Sequence, residues 1–346
     1  MVIIWLIKLK INIKFFTIVL KDAILLNNNF FRSEIVKHIQ IKETTLALCP
    51  IGFGTANAGV AWDKEDAFKM LDQYVSLGGN VIDTARIYND WIPGEIGRSE
   101  RVIGDWIEYR GGHDDLVIMS KGGHPSLDNM HQSRLSKEEM RSDLEKSLAA
   151  LRIHCIDIYF YHRDDEKLPV SQLIETMEDF VREGKIKYYG CSNWTTSRMK
   201  EAMAYCQEKG YRGFVANQAL YNIASKAMKP YPDDTMVIMD DEMLEFHQES
   251  TVLAMPYFSL CSGFFTKLAE GLDVTESPYY TEENLQLAEQ LNALTKKYNS
   301  TLTQVIMGFF LVQEMPFCAL AGASREAQLL DFMETLKIPF DSNDFN

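Results

Sequence analysis

Four side chains able to move protons stand at or just after short apolar runs: Asp83 closes the run 80–83, Tyr88 follows five residues later, Lys121 closes 116–121 and His162 closes 156–162. Singly, each has an ordinary explanation. An acid after a strand is commonly a turn residue or helix cap, a lysine a solvated charge, a tyrosine packing, a histidine a hydrogen-bonded shelf residue. Together they describe a proton donor. A free phenol has a pKa near ~10 and gives up its proton reluctantly at neutral pH. A lysine ammonium beside it favours the phenolate and makes it a better general acid. Asp83 would hold Lys121 charged and aimed, and His162 would orient a carbonyl oxygen. General acid catalysis of this kind contributes roughly 10²- to 10⁴-fold, too little for a difficult reaction alone. The set therefore implies a cofactor that supplies an electrophile or a hydride.

For these groups to meet, the runs before them must be adjacent strands. Eight runs suit buried parallel strands: 46–53, 80–83, 116–121, 156–162, 187–192, 214–218, 251–257 and 316–321. Helical periods lie between them. Ala67, Met70, Leu71, Tyr74 and Val75 share one helix face, which Gly78 and Gly79 end. Leu173, Ile174, Met177, Phe180 and Val181 repeat the spacing, and Met140, Leu144, Leu148 and Leu151 mark another helix with a capping box at Ser136 and Glu139. The apolar run 305–312 reads as a buried helix, because Thr301 and Gln304 supply its capping box.

Strands alternating with helices in this way predict an α/β chain forming a single-domain (β/α)8 TIM barrel. A doubly wound fold would need a glycine-rich turn after the first strand, and Gly52, Phe53, Gly54, Thr55 lacks the third glycine. The longest interval, between the seventh and eighth runs, leaves room for an extra helix. In the barrel, chemistry belongs at the C-terminal strand ends, which is where Asp83, Lys121 and His162 stand.

The chain has 346 residues, 46% hydrophobic and 24% charged, with a net charge of −14. Residues 1–38 carry six basic and two acidic side chains, a net of +4 that leaves −18 for the rest. So acidic a body repels phosphate backbones, and nucleic acid is not an expected partner. Six widely spaced cysteines without a C-x-x-C pair, and histidines without ligand spacing, predict reduced thiols, a cytoplasmic location and no metal. In residues 1–39 lysines interrupt every apolar run, so no clear membrane span is expected. That segment reads as an N-terminal extension, with the barrel over 40–346. Composition sets no oligomeric state.

Several runs in order resemble the aldo-keto reductase superfamily: 52–55 (Gly-Phe-Gly-Thr), 80–88 through Asp83 and Tyr88, 97–104 from Gly97 and Arg98, Ser120 with Lys121, 161–163 around His162, 190–194 with Ser192, Asn193 and Trp194, and 322–324. The resemblance spans about 40–340. It implies an oxidoreductase that reduces an aldehyde or ketone, such as a sugar or related carbonyl, to an alcohol. Tyr88 would donate the proton, Lys121 and Asp83 would tune it, and His162 would orient the substrate. The cofactor implied is NADP(H), with NAD(H) the alternative. Gly54, Thr55, Ser192, Asn193, Gln218, Tyr257, Leu260, Gly322, Ser324, Arg325 and Gln328 would bind it, with Tyr257 under the nicotinamide and the loop after strand eight at the phosphates. The chain departs from the family pattern there: many members carry lysine or arginine at Gly322 or Ala323, and asparagine at Phe332. Trp62, Trp91 and Trp194 are expected to wall the substrate pocket. Two other readings stand beside this one: a non-catalytic NADPH-binding sensor or regulatory subunit, and a Schiff-base aldolase using Lys121.

Overall fold

The computed structural model describes residues 36–345, so the expected N-terminal extension falls almost wholly outside the described residues. Eight parallel strands form one sheet: β1 (Ile51–Gly54), β2 (Val81–Asp83), β3 (Val117–Gly122), β4 (Ile156–Tyr161), β5 (Ile186–Ser192), β6 (Ala216–Gln218), β7 (Leu253–Ala254) and β8 (Ala319–Gly322). Neighbours in sequence are neighbours in the sheet, and β8 returns to pair with β1. The last gap closes between β7 and β8, where Cys318 N–H donates to Ala254 C=O (3.2 Å) and Leu320 N–H to Pro256 C=O (2.8 Å).

Helices cover the outside in order: α1 (Lys64–Ser76), α2 (Arg98–Arg110), α3 (Lys137–Leu151), α4 (Val170–Arg182), α5 (Thr196–Lys209), α6 (Asp241–Glu249), α7 (Phe264–Ala269), α8 (Glu282–Tyr298), α9 (Leu302–Leu311) and α10 (Glu326–Glu334). The run 305–312 is helical as far as Leu311, with Val312 as the C-cap, and Thr301 and Gln304 form the reciprocal capping box of α9. The long interval before β8 holds α7 and α8 as well as α9. Among the described residues no helix is long and apolar enough to cross a membrane.

The expected first strand, 46–53, is two pieces. Ala47–Leu48 pairs antiparallel with Ile39–Gln40, and Ile51–Gly54 enters the barrel. Pro50 divides them: it has no N–H for a ladder, but its carbonyl accepts from Ala319. The hairpin places Leu46 and Leu48 against Val81, Val117, Ile158 and Leu253, and so plugs the bottom of the barrel.

Strand periodicity aims the polar residues. Val81, Val117, Met119, Ile158 and Phe160 fill the interior, whereas Ile82, Ile118, Tyr159 and Tyr161 pack outward against the helices. With a period of two, Asp83, Lys121 and His162 continue the inward set at the upper rim. Ser192, Gln218, Tyr257 and Gly322 continue the inward rows of the remaining strands in the same way.

Candidate active site

At the upper rim a cavity of about 300 Å³ opens among Asp83, Tyr88, Lys121 and His162. Lys121 Nζ donates to Asp83 Oδ2 (2.7 Å), to Thr84 C=O (2.9 Å) and to Tyr88 Oη (3.2 Å). An ammonium has three donors and no acceptor. All three are used, so Tyr88 Oη accepts from Lys121 and its own hydroxyl proton is free for the cavity.

Burial alone would lower the Lys121 pKa, but the Asp83 carboxylate and Tyr88 oxygen outweigh it, and the net direction is upward. The Tyr88 phenol is pushed up by burial; Lys121 pulls it down, as expected from the sequence, yet the net direction is up. Burial, together with His124, Arg163 and Lys121, holds His162 well below the usual histidine value, so its imidazole is neutral at pH 7. The His162 ring stands edge-on to Tyr88, with centroids 6.0 Å apart. A neutral ring can offer one N–H to a carbonyl oxygen without placing a second charge beside Lys121.

Of the expected cofactor residues, Gly54, Ser192, Asn193, Gln218, Tyr257 and Gly322 line this cavity. Gln218 Nε2 donates to Asp83 Oδ1 (2.8 Å), leaving its carbonyl oxygen for a ligand. Asn193 is fully engaged: Nδ2 donates to Ser192 Oγ (3.0 Å) and His162 C=O (3.2 Å), and Oδ1 accepts from Tyr257 Oη (2.6 Å) and Val237 N–H (3.0 Å). It therefore fixes the Tyr257 ring. Asn193 and Phe258, another lining residue, have positive φ, 60° and 56°. Such strain is tolerated where surrounding contacts impose it.

The other expected binding residues stand off this cavity. Thr55 is buried with Oγ1 donating to Asp83 C=O (2.8 Å), which fixes the end of β2. Leu260 packs among hydrophobic side chains. Ser324, Arg325 and Gln328 lie exposed at the start of α10, whose first turn has no side-chain cap from Arg325. Gln328 Oε1 accepts from Ser324 N–H (2.9 Å).

The three tryptophans expected to wall the pocket do not reach it. Trp62 stacks on Phe53 with centroids 5.7 Å apart and donates to Ala323 C=O. Trp194 is completely buried against Tyr161 and Phe214, with its N–H on Arg163 C=O. Trp91 is 52% exposed on its loop. Packing claims the first two rings, whose large apolar area gains more in the core than at a wet rim. The wall is built instead by Met236, Tyr257, Phe258 and Leu320.

Two residues without an expected role stand beside the tetrad. Arg163 lines the cavity, and it sits next to His162 in the motif already noted. His124 lies edge-on to His162 at 4.7 Å. Its Nδ1 contacts Pro125 C=O (2.8 Å), an acceptor, so Nδ1 carries the proton. Burial and Arg163 push His124 down to about 4. The only signal for it was a histidine after Gly122 and Gly123. Among the described residues no group of histidine, cysteine and acidic side chains could hold a metal ion.

A family model described as the Aldo/keto reductase family matches residues 50–346. An aryl-alcohol dehydrogenase of Pestalotiopsis microspora is 24% identical over 316 residues, covering 87% of this chain and 78% of its own. An aryl-alcohol dehydrogenase [NADP(+)] of Phanerodontia chrysosporium is 30% identical over 53% of this chain and 51% of its own. A solved thermostable aldo-keto reductase in complex with the inhibitor epalrestat superposes with a TM-score of 0.66, covering 89% of this chain and 97% of that one at 21% identity. At that identity the likeness speaks for the fold.

Proposed function

The chain belongs to the aldo/keto reductase family of oxidoreductases, and from that premise we propose that it reduces an aldehyde or ketone to an alcohol, with a proton from Tyr88 and hydride from a nicotinamide cofactor. The observation that carries this reading is the commitment of all three Lys121 donors, one of them to Tyr88 Oη. That hydrogen bond orients the phenol, so its proton points at whatever oxygen enters the cavity. His162, neutral, orients the same oxygen, and the closeness of Lys121 stabilises the phenolate left after transfer.

The donors and acceptors along the cavity fit a nicotinamide carboxamide. Ser192 Oγ accepts from Asn193 and keeps its proton to donate, and Gln218 Oε1 is free to accept. Tyr257, held by Asn193, supplies a flat face. The start of α10, whose N-cap Arg325 makes no side-chain cap, suits phosphates together with Ser324, and Arg325 offers a cation for a 2′-phosphate. Phe332 is buried against Phe53 and serves packing. When bound, the nicotinamide supplies the hydride. NADP(H) is the cofactor we favour, in line with the name of one relative.

The same geometry disfavours the aldolase reading. A Schiff-base lysine needs a free lone pair, whereas Lys121 is buried, has a raised pKa and has every N–H engaged. With the Tyr257 face taken by the nicotinamide, the remaining apolar wall of Met236 and Phe258 suits an aromatic carbonyl, the chemistry in the names of two relatives. The test is loss of NADPH absorbance with aromatic aldehydes, ketones and sugars, run in parallel with NADH. Turnover of at least one carbonyl is expected. Tight NADPH binding with no turnover across that panel would replace this reading with the sensor.

A further inference from the structure

We propose that Arg163 is a positioning residue that staples residues 231–237 over the cavity and thereby sets which carbonyl substrates fit; the word substrate rests on the reductase reading above. Arg163 reaches in two directions. Nη1 donates back to His162 C=O (2.9 Å), while Nε donates to Thr235 Oγ1 (2.8 Å) and Nη2 to Asp233 Oδ2 (3.1 Å). One planar guanidinium thus joins the backbone of a tetrad residue to a loop 70 residues away.

The receiving end is built for it. Thr235 N–H and Oγ1 both donate to Asp233 Oδ1 (3.0 and 2.6 Å), which leaves Oδ2 for Arg163. The Arg163 side chain is only 11% exposed, so solvent screens this pair weakly.

The next residue, Met236, lines the cavity. Beyond it the chain is anchored independently: Val237 N–H donates to Asn193, Leu220 N–H to Val237 C=O (2.9 Å), and Met239 N–H to Leu220 C=O (2.9 Å). On the other side of Met236 the remaining ties are weaker. Tyr231 and Phe258 rings stand 5.4 Å apart, and His131 faces Asp234 at 3.7 Å with both side chains more than 70% exposed. Releasing Arg163 therefore frees the segment that leads into Met236, the lining residue of this loop. It leaves the bonds of Lys121, Asp83 and Tyr88 in place.

A competing role is direct: the guanidinium charge near Tyr88 and His162 acts on the proton step. Lysine separates the two, because it keeps the charge and loses the fork. Arg163→Lys, Arg163→Met and Asp233→Ala in the full chain are compared by hydrogen exchange of 231–237, by NADPH binding, and by kinetics with a small and a bulky aromatic aldehyde. All three should speed exchange in 231–237 and raise KM for the bulky aldehyde about tenfold, the scale of one lost charged hydrogen bond. Arg163→Lys and Asp233→Ala, which keep a positive charge beside His162, should hold kcat within about threefold. Arg163→Met in the Asp233→Ala background should add less than it does alone, because only the bonds to Thr235 Oγ1 and His162 C=O are then left to lose. Unchanged exchange, or Arg163→Lys with normal kinetics while Arg163→Met loses kcat, would overturn the staple. Exchange needs no turnover, so a protein that reduces no carbonyl would end the reductase reading while the staple is still decided.

Discussion

Gln218 Nε2 donates to Asp83 Oδ1 over 2.8 Å, so the end of β6 meets the end of β2 across the mouth of the barrel. With Lys121 on Oδ2 (2.7 Å), both carboxylate oxygens of Asp83 are engaged by protein donors. Asp83 therefore acts through Lys121 and not on the substrate. It also couples the tetrad to Gln218, whose carbonyl oxygen we propose meets the cofactor.

Gln218→Glu places a second carboxyl against Asp83. Two buried carboxylates in contact cannot both ionise cheaply, so the new one takes up a proton readily. Its protonated form mimics the amide and donates to Asp83. Activity should be near normal at low pH and fall by about tenfold or more as pH rises through the raised pKa of Glu at this position. A pH–rate profile parallel to that of the unsubstituted enzyme would show that the Gln218 to Asp83 bond does not matter to turnover.

The pH dependence of reduction follows from Tyr88. Burial raises its pKa, Lys121 lowers it, and the net direction is upward. Reduction uses the protonated phenol, so the rate should stay flat through neutral pH and decline only above the ordinary tyrosine value of about 10. Neutral His162 contributes no loss near pH 6.5. Lys121→Met removes the lowering influence, so the alkaline limb moves further up and the plateau falls about 10²-fold. A limb that moved down would contradict this arrangement.

Glu100 predicts a stability effect separate from catalysis. It is fully buried on α2 and accepts from Ser120 Oγ (2.6 Å). Burial pushes its pKa up to about 7, against which the Ser120 and Ser147 hydroxyls pull down. A carboxyl raised on folding contributes fully below its unfolded value near 4.5 and loses that contribution as pH rises through about 7. The loss is of order 3 kcal/mol between pH 4.5 and 8. Urea midpoints should fall over that interval, and Glu100→Gln should flatten the fall. Equal slopes for the two proteins would place the titration elsewhere.

How much of this could be read from the chain follows from periodicity. Asp83, Lys121 and His162 each end an inward row two residues beyond a core side chain, such as Val81, Met119 or Phe160, and a period of two carries the argument to the rim. Pro50 was the local mark that 46–53 would split, but its weight depended on the hairpin partner Ile39–Gln40. The tryptophans were placed by loop position alone, whereas Trp62 and Trp194 are decided by packing against Phe53, Tyr161 and Phe214. Likewise the amide of Asn193 is filled by Tyr257 and Val237, 64 and 44 residues on. Such long-range side-chain bonds leave no periodic trace, which is why the motif around His162 contained Arg163 without revealing its partners.

In the reaction we propose, Tyr88 delivers the proton while the rest of the site holds cofactor and substrate. Tyr88→Phe removes one oxygen and leaves Lys121 its bonds to Asp83 and Thr84. The direct measurement follows NADPH binding by fluorescence and turnover of the best carbonyl by absorbance in the same preparation. Binding should stay within about twofold of the unsubstituted enzyme and turnover should fall by roughly 10²- to 10⁴-fold. Turnover that survives the substitution would contradict this role of Tyr88.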